Sequence, residues 1–337
     1  MLPLVIASIA AALSHDPHLP SAPPPDARAV RERVTLGEGA FRFESVAGWA
    51  KVPEGRAHGP THGGVAVTKA GEIVTATDGE EGFVVFASEG TVARTFGKEL
   101  SGCHSVLLRE EEGLEFLYCA HLRGHRAVKL RLDGSLVWSI GAPMASGAYA
   151  SPEEFHPTAV AVAPDGRIYV ADGYGTSLVH LFDAERNWVK SFAGAGSEDG
   201  KVRTCHGLAI DGRGSDPLLL VCDRENRRLV HFDLEGTFVR TVAEDLRRPC
   251  AVAFLGDAVA VAELEGRVTI LDGAGKVVAH LGDNPEEGER ASFDVPPERW
   301  KDGIFTAPHG LAFDAAGDLY VQDWNRSGRI SRLRRVE

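Results

Sequence analysis

The sequence predicts an all-β chain folded as a six-bladed β-propeller, and three observations predict it. An apolar strand recurs six times, ending at Asp78, Ala120, Asp172, Asp223, Glu263 and Asp323, with spacings of 42, 52, 51, 40 and 60 residues. Such spacing is that of propeller blades, longer than leucine-rich or helical repeats. Each unit then carries two further strands around D-G, E-G or D-G-A-G turns, with no sustained 3.6-residue period. Finally, the last unit ends in RISRLRRVE with only three strands, while FRFESVAGWAKV, Phe41 to Val52, precedes the first unit without a partner. Placing that segment as the outer strand of the last blade closes the ring and removes the exposed edges of an open array.

The elements follow in chain order. Met1 to Leu13 is a thirteen-residue apolar stretch, too short to span a bilayer but of the length of a signal-peptide core. It lacks Lys or Arg at its start. Residues 1–14 are therefore read as a signal peptide, and the chain is expected to be exported to a periplasmic or extracellular location. Residues 15–33, with HDPHLPSAPPPD, are Pro-rich and polar and read as a tether. The propeller is expected over residues 34–337. No other segment is long and apolar enough to cross a membrane.

Composition bounds the partners. The 337 residues carry 48 acidic against 36 basic side chains, a formal net charge of -12, which argues against binding a polyanion, since phosphate-backbone affinity needs clustered Lys and Arg. Cys103, Cys119, Cys205, Cys222 and Cys250 are odd in number and lie in or beside predicted strands. They read mainly as small apolar core residues.

A histidine pattern lies on this frame. His104, His206 and His309 fill one slot, the residue before the innermost strand, in blades two, four and six, separated by 102 and 103 residues. Alternate blades of a six-fold ring are about 120° apart, so three imidazoles converge near the channel mouth. The slot holds Thr158 and Cys250 in the intervening blades, and Gly63 in the first, with His62 one position earlier. Three imidazoles with an open position are the donor set of a catalytic zinc site, whereas a fourth donor from His62 or Cys250 would close it. The alternative is three histidines that only hydrogen-bond one another's loops.

The repeated D-G turn followed by a strand ending VAD or VCD, as in RIYVADG and LLLVCDREN, resembles the NHL-repeat propellers. The segments DGYG (Asp172–Gly175), HGL (His206–Leu208), DREN (Asp223–Asn226) and PHG (Pro308–Gly310) resemble the corresponding blades of peptidyl-α-hydroxyglycine α-amidating lyase. That resemblance implies His104, His206 and His309 as zinc ligands, Tyr174 as a base beside the metal and Arg224 as a residue binding the substrate carboxylate. It implies a carbon–nitrogen lyase acting at an α-hydroxy carbon next to a carboxylate, on a small-molecule or peptide substrate. A structural calcium in the channel is left open. The chain departs from the family at Gly310, where Asp follows the third histidine, and at Gly175, where a cysteine follows the tyrosine. A second substrate-binding arginine has no clear counterpart; Arg56 is the nearest candidate.

Two rival functions stay open: a non-catalytic NHL propeller binding a protein or peptide, and a lactonase-like hydrolase, although the latter centres calcium on oxygen donors rather than imidazoles. The two long loops, Ala142 to Phe155 and Asp283 to Ala307, are expected on the histidine face, where Tyr149, Trp300, Phe305 and Trp324 either line a pocket or anchor their own loops.

Overall fold

The computed structural model describes residues 33–52 and 58–336. The segments read as signal peptide and tether, up to residue 32, lie outside the described residues, as does Arg56. Twenty-five strands and seven short 3-10 turns make up the regular structure among the described residues, and no helix there is long and apolar enough to cross a membrane.

The strands form six antiparallel sheets arranged as six blades. Blade 1 runs Val65–Val67, Ile73–Ala76, Phe83–Phe86 and Val92–Phe96, and blade 2 Cys103–Glu111, Leu114–His121, Arg126–Arg131 and Leu136–Ile140. Blade 3 runs Ala159–Val162, Ile168–Ala171, Leu178–Phe182 and Trp188–Ala193, and blade 4 Cys205–Asp211, Leu218–Asp223, Arg228–Phe232 and Phe238–Ala243. Blade 5 comprises Pro249–Leu255, Ala258–Glu263, Arg267–Leu271 and Val277–Leu281, and blade 6 Pro308–Phe313, Leu319–Asp323 and Arg329–Val336.

Blade 6 is completed by the N-terminal strand Arg42–Ser45, which pairs antiparallel with the last strand in the register Arg42↔Val336 to Ser45↔Leu333. This is the expected closure, but over a shorter strand than Phe41 to Val52, since Lys51 bridges Thr91 of blade 1 instead, and with one addition. Thr35–Leu36 pairs with Phe43 and Glu44 as a fifth strand, and a two-residue strand carries too little alternation to be read from sequence. The second strands of the blades are largely buried, and apolar clusters fill the gaps between neighbouring blades, as where Phe43, Leu281, Phe305 and Leu333 join blades 5 and 6. All five cysteines are free and buried, in keeping with their reading as core.

The acidic residue ending the second strand has a definite local task. Asp172 accepts the His156 N–H at 2.7 Å, Asp223 the Arg203 N–H at 2.7 Å, Glu263 the Arg247 N–H at 2.8 Å and Asp323 the Ala307 N–H at 2.8 Å. Each carboxylate thus pins the loop that leads into its own blade's innermost strand. In blades 4 and 6 those loops lead to His206 and His309.

Candidate functional site

His104, His206 and His309 are the second residues of the innermost strands of blades 2, 4 and 6, and all three are buried. Their ring centroids lie 4.6 Å apart for His104–His206, 4.8 Å for His104–His309 and 4.6 Å for His206–His309. The three rings therefore gather at one end of the channel lined by the inner strands of all six blades, a cavity of about 420 Å³.

Neighbouring blades fix two of these rings. His104 Nδ1 donates to the carbonyl of Thr158 in blade 3 at 2.7 Å, and His206 Nδ1 donates to the carbonyl of Cys250 in blade 5 at 2.9 Å. A carbonyl only accepts, so the proton sits on Nδ1 and the Nε2 lone pair is left free. Close approach makes this possible: a Cβ on Gly207 would stand 2.4 Å from the Cys250 carbonyl oxygen. Both Nε2 atoms face one hydroxyl, that of Tyr174, at 3.2 Å from His104 and 3.0 Å from His206. Arg224 Nη1 donates to the same oxygen at 3.1 Å.

This donor set fits a cation. One tyrosine proton can satisfy only one of two convergent lone pairs, and His309 Nδ1 is buried with no hydrogen-bond partner among the described residues. Burial drives all three imidazoles well below the usual histidine range, more so because each faces other histidines or Arg224. All three are therefore neutral imidazoles with ring nitrogens free to accept. One ring nitrogen from each of His62, His104 and His309 lies within 4.8 Å of the others, and the same holds for donors of His206, Cys250 and His309. Histidine and cysteine groups able to hold a metal ion are therefore present, and His309 is shared between them. Among the described residues, no carboxylate side chain lines the channel.

Tyr174 is pushed up to about 12 by burial, a rise that the Arg224 guanidinium opposes. Arg224 is itself held by Glu225, whose Oε1 accepts from Arg224 Nε at 2.9 Å and from Arg248 Nη2 at 2.6 Å. Arg248 was not singled out by its sequence, yet it stands beside Arg224 with its Nε buried and unpartnered among the described residues. The only sequence signal was its place two residues before the Cys250 slot.

Of the four candidate aromatics, three lie in the long loops and the fourth, Trp324, follows the strand Leu319–Asp323; Trp324 is the one that reaches the site, its ring 6.1 Å from that of His62. The others anchor their own surroundings. Tyr149 is buried and donates to Asp172, Phe305 is core, and Trp300 Nε1 donates to the Val295 carbonyl. The family's Asp after the third histidine also has no room here, because a Cβ on Gly310 would lie 2.7 Å from the Gly63 carbonyl oxygen.

No family model matches the chain. Over 213 residues it is 29% identical to a probable peptidyl-alpha-hydroxyglycine alpha-amidating lyase of Caenorhabditis elegans, a match covering 59% of this chain and 55% of the worm protein. The match thus spans about half the length of that curated relative. The chain resembles this lyase, as its DGYG, DREN and PHG segments imply. Among solved structures it is similar in fold to a gluconolactonase of Xanthomonas campestris (TM-score 0.61, 14% identity, 87% of this chain and 89% of that one). It is likewise similar to a protein of unknown function from Bacteroides thetaiotaomicron (TM-score 0.62, 12% identity, 90% and 76%). A third is virginiamycin B lyase of Staphylococcus aureus (TM-score 0.52, 10% identity, 82% and 95%). At such identities the likeness is one of fold alone.

Proposed function

We propose that this propeller is a zinc-dependent carbon–nitrogen lyase of the amidating-lyase type, acting on a small-molecule or peptide substrate with an α-hydroxy carbon next to a carboxylate. One observation carries the reading: the Tyr174 hydroxyl lies within hydrogen-bond distance of two histidine Nε2 atoms and the Arg224 guanidinium together. A metal held by His104, His206 and His309 would supply Lewis acidity to the substrate hydroxyl.

The chain's own groups account for the rest. Arg224, half-enclosed and always cationic, pairs with the substrate carboxylate and fixes the α-carbon beside Tyr174. Its charge also favours the phenolate, opposing burial. In its phenolate form, which a cation at the histidines would favour together with Arg224, Tyr174 takes the hydroxyl proton as the C–O bond becomes C=O. The electrons of the breaking C–N bond leave with the amide nitrogen, which receives that same proton from Tyr174, so an amide and an α-oxo acid are released with no other reactant.

The test is to assay metal-loaded protein with an N-acyl-α-hydroxyglycine and follow release of the α-oxo acid. Turnover abolished by chelation and restored by zinc is the expected result. A metal-loaded protein that turns over no such substrate would instead support a peptide-binding propeller.

A further inference from the structure

The three histidines are not held alike. His104 and His206 each donate Nδ1–H to a carbonyl of the next blade, whereas His309, whose next blade is blade 1, has no partner for Nδ1 among the described residues. At that junction stands another imidazole. The His62 ring is 5.0 Å from His309 and 4.8 Å from His104 between centroids, and one nitrogen from each of the three falls within 4.8 Å of the others.

Behind His62 is Asp78, its Oδ2 3.5 Å from His62 Nδ1. Asp78 ends the second strand of blade 1, the position whose carboxylate pins a loop N–H in blades 3 to 6. Here it faces an imidazole instead. A carboxylate behind the second nitrogen of a histidine is the outer-shell arrangement that orients an imidazole toward a metal and raises its basicity. Cys250, the other candidate for a fourth donor, lies within 4.8 Å of His206 and His309 donors but has no carboxylate behind it; its Sγ–H donates to the Arg248 carbonyl at 3.6 Å.

We infer that His62, oriented by Asp78, is a fourth imidazole ligand of the metal at this site. The inference rests on the metal-binding part of the proposed function. A fourth imidazole closes a four-coordinate site, so substrate binds there only as the ion expands to a fifth position.

Cobalt(II) is the probe, added to the full chain, to His62→Ala and to Asp78→Asn, with bound metal and visible absorption both measured. Wild type should bind about one cobalt per chain with the weak bands of five-coordination. His62→Ala should lose affinity by at least about 10²-fold and shift to the stronger bands of a four-coordinate ion, and Asp78→Asn should lose about 10-fold. Circular dichroism establishes that each variant folds, and His62→Gln replaces His62→Ala if that one does not. A wild type that binds no cobalt overturns the metal reading altogether. A wild type that binds it while the His62 variants match its affinity and spectrum overturns this inference alone.

Discussion

Two kinds of blade junction meet at the site. Between blades 2 and 3, and again between blades 4 and 5, a glycine-assisted close approach or a Thr-bearing slot lets a backbone carbonyl lock the histidine tautomer. Between blades 6 and 1 that lock is missing, the histidine nitrogen is unpartnered, and an extra His–Asp pair occupies the place. The difference teaches that one repeat position serves two ends. Where the strand-end carboxylate holds backbone it builds scaffold, and where it is released from that task it can serve chemistry.

The largest test of this division compares Asp223 with Asp78. Asp223→Ala removes the acceptor of the Arg203 N–H and the Asn226 amide and strands the buried Arg228 cation, which should cost about 3–5 kcal/mol in denaturant unfolding. Asp78→Ala, at a partly exposed carboxylate, should cost no more than about 1 kcal/mol. Equal losses would dissolve the distinction.

Next is His58, also on the blade-1 side, buried with neither ring nitrogen partnered among the described residues. Burial lowers it to about 4. The folded state then binds this proton less well than the unfolded chain, so the contribution to stability is complete above about pH 6.5 and shrinks as pH falls toward about 4. His58→Phe should remove up to about 3 kcal/mol of that acid sensitivity, read as a flatter melting-temperature profile between those pH values. The buried slot histidines titrate in the same direction and keep part of the slope.

Tyr174 touches the histidines of the two locked junctions. Tyr174→Phe should lower turnover by about 10²-fold or more with metal content unchanged, as for loss of a proton-transfer group. The smallest effect is expected of Gly310→Asp. Restoring the family's residue should cost about 1–3 kcal/mol by overpacking against the Gly63 carbonyl, visible as a lower melting temperature rather than any gain in activity.

The blades were legible because strand alternation and D-G turns are local signals, and the spacing of His104, His206 and His309 was legible because a ring converts equal sequence intervals into convergence. What escaped depends on which partner a side chain finds. Asp78 and Asp223 look alike in the chain yet face an imidazole in one case and a backbone N–H in the other. Arg248 carried no motif, and its position beside Arg224 arises from the path between blades 4 and 5. Tyr149 and Phe305 read as candidate pocket walls because aromatics in long loops serve either role, and only burial decides.

The strand Arg42–Ser45 gives the order in which this molecule can be assembled. Its partner is about 290 residues away, as the Glu44–Arg334 pair across the seam shows. During synthesis the first five blades emerge while Arg42–Ser45 waits for a strand not yet made, and the circle cannot shut until Arg329–Val336 has emerged. The junction that shuts last is the one between blades 6 and 1, where His309 meets His62. A polypeptide interrupted before Arg329–Val336 would thus hold His104 and His206 in their carbonyl locks but lack a secured second half of the donor set, which ties the readiness of the site to the arrival of that one strand.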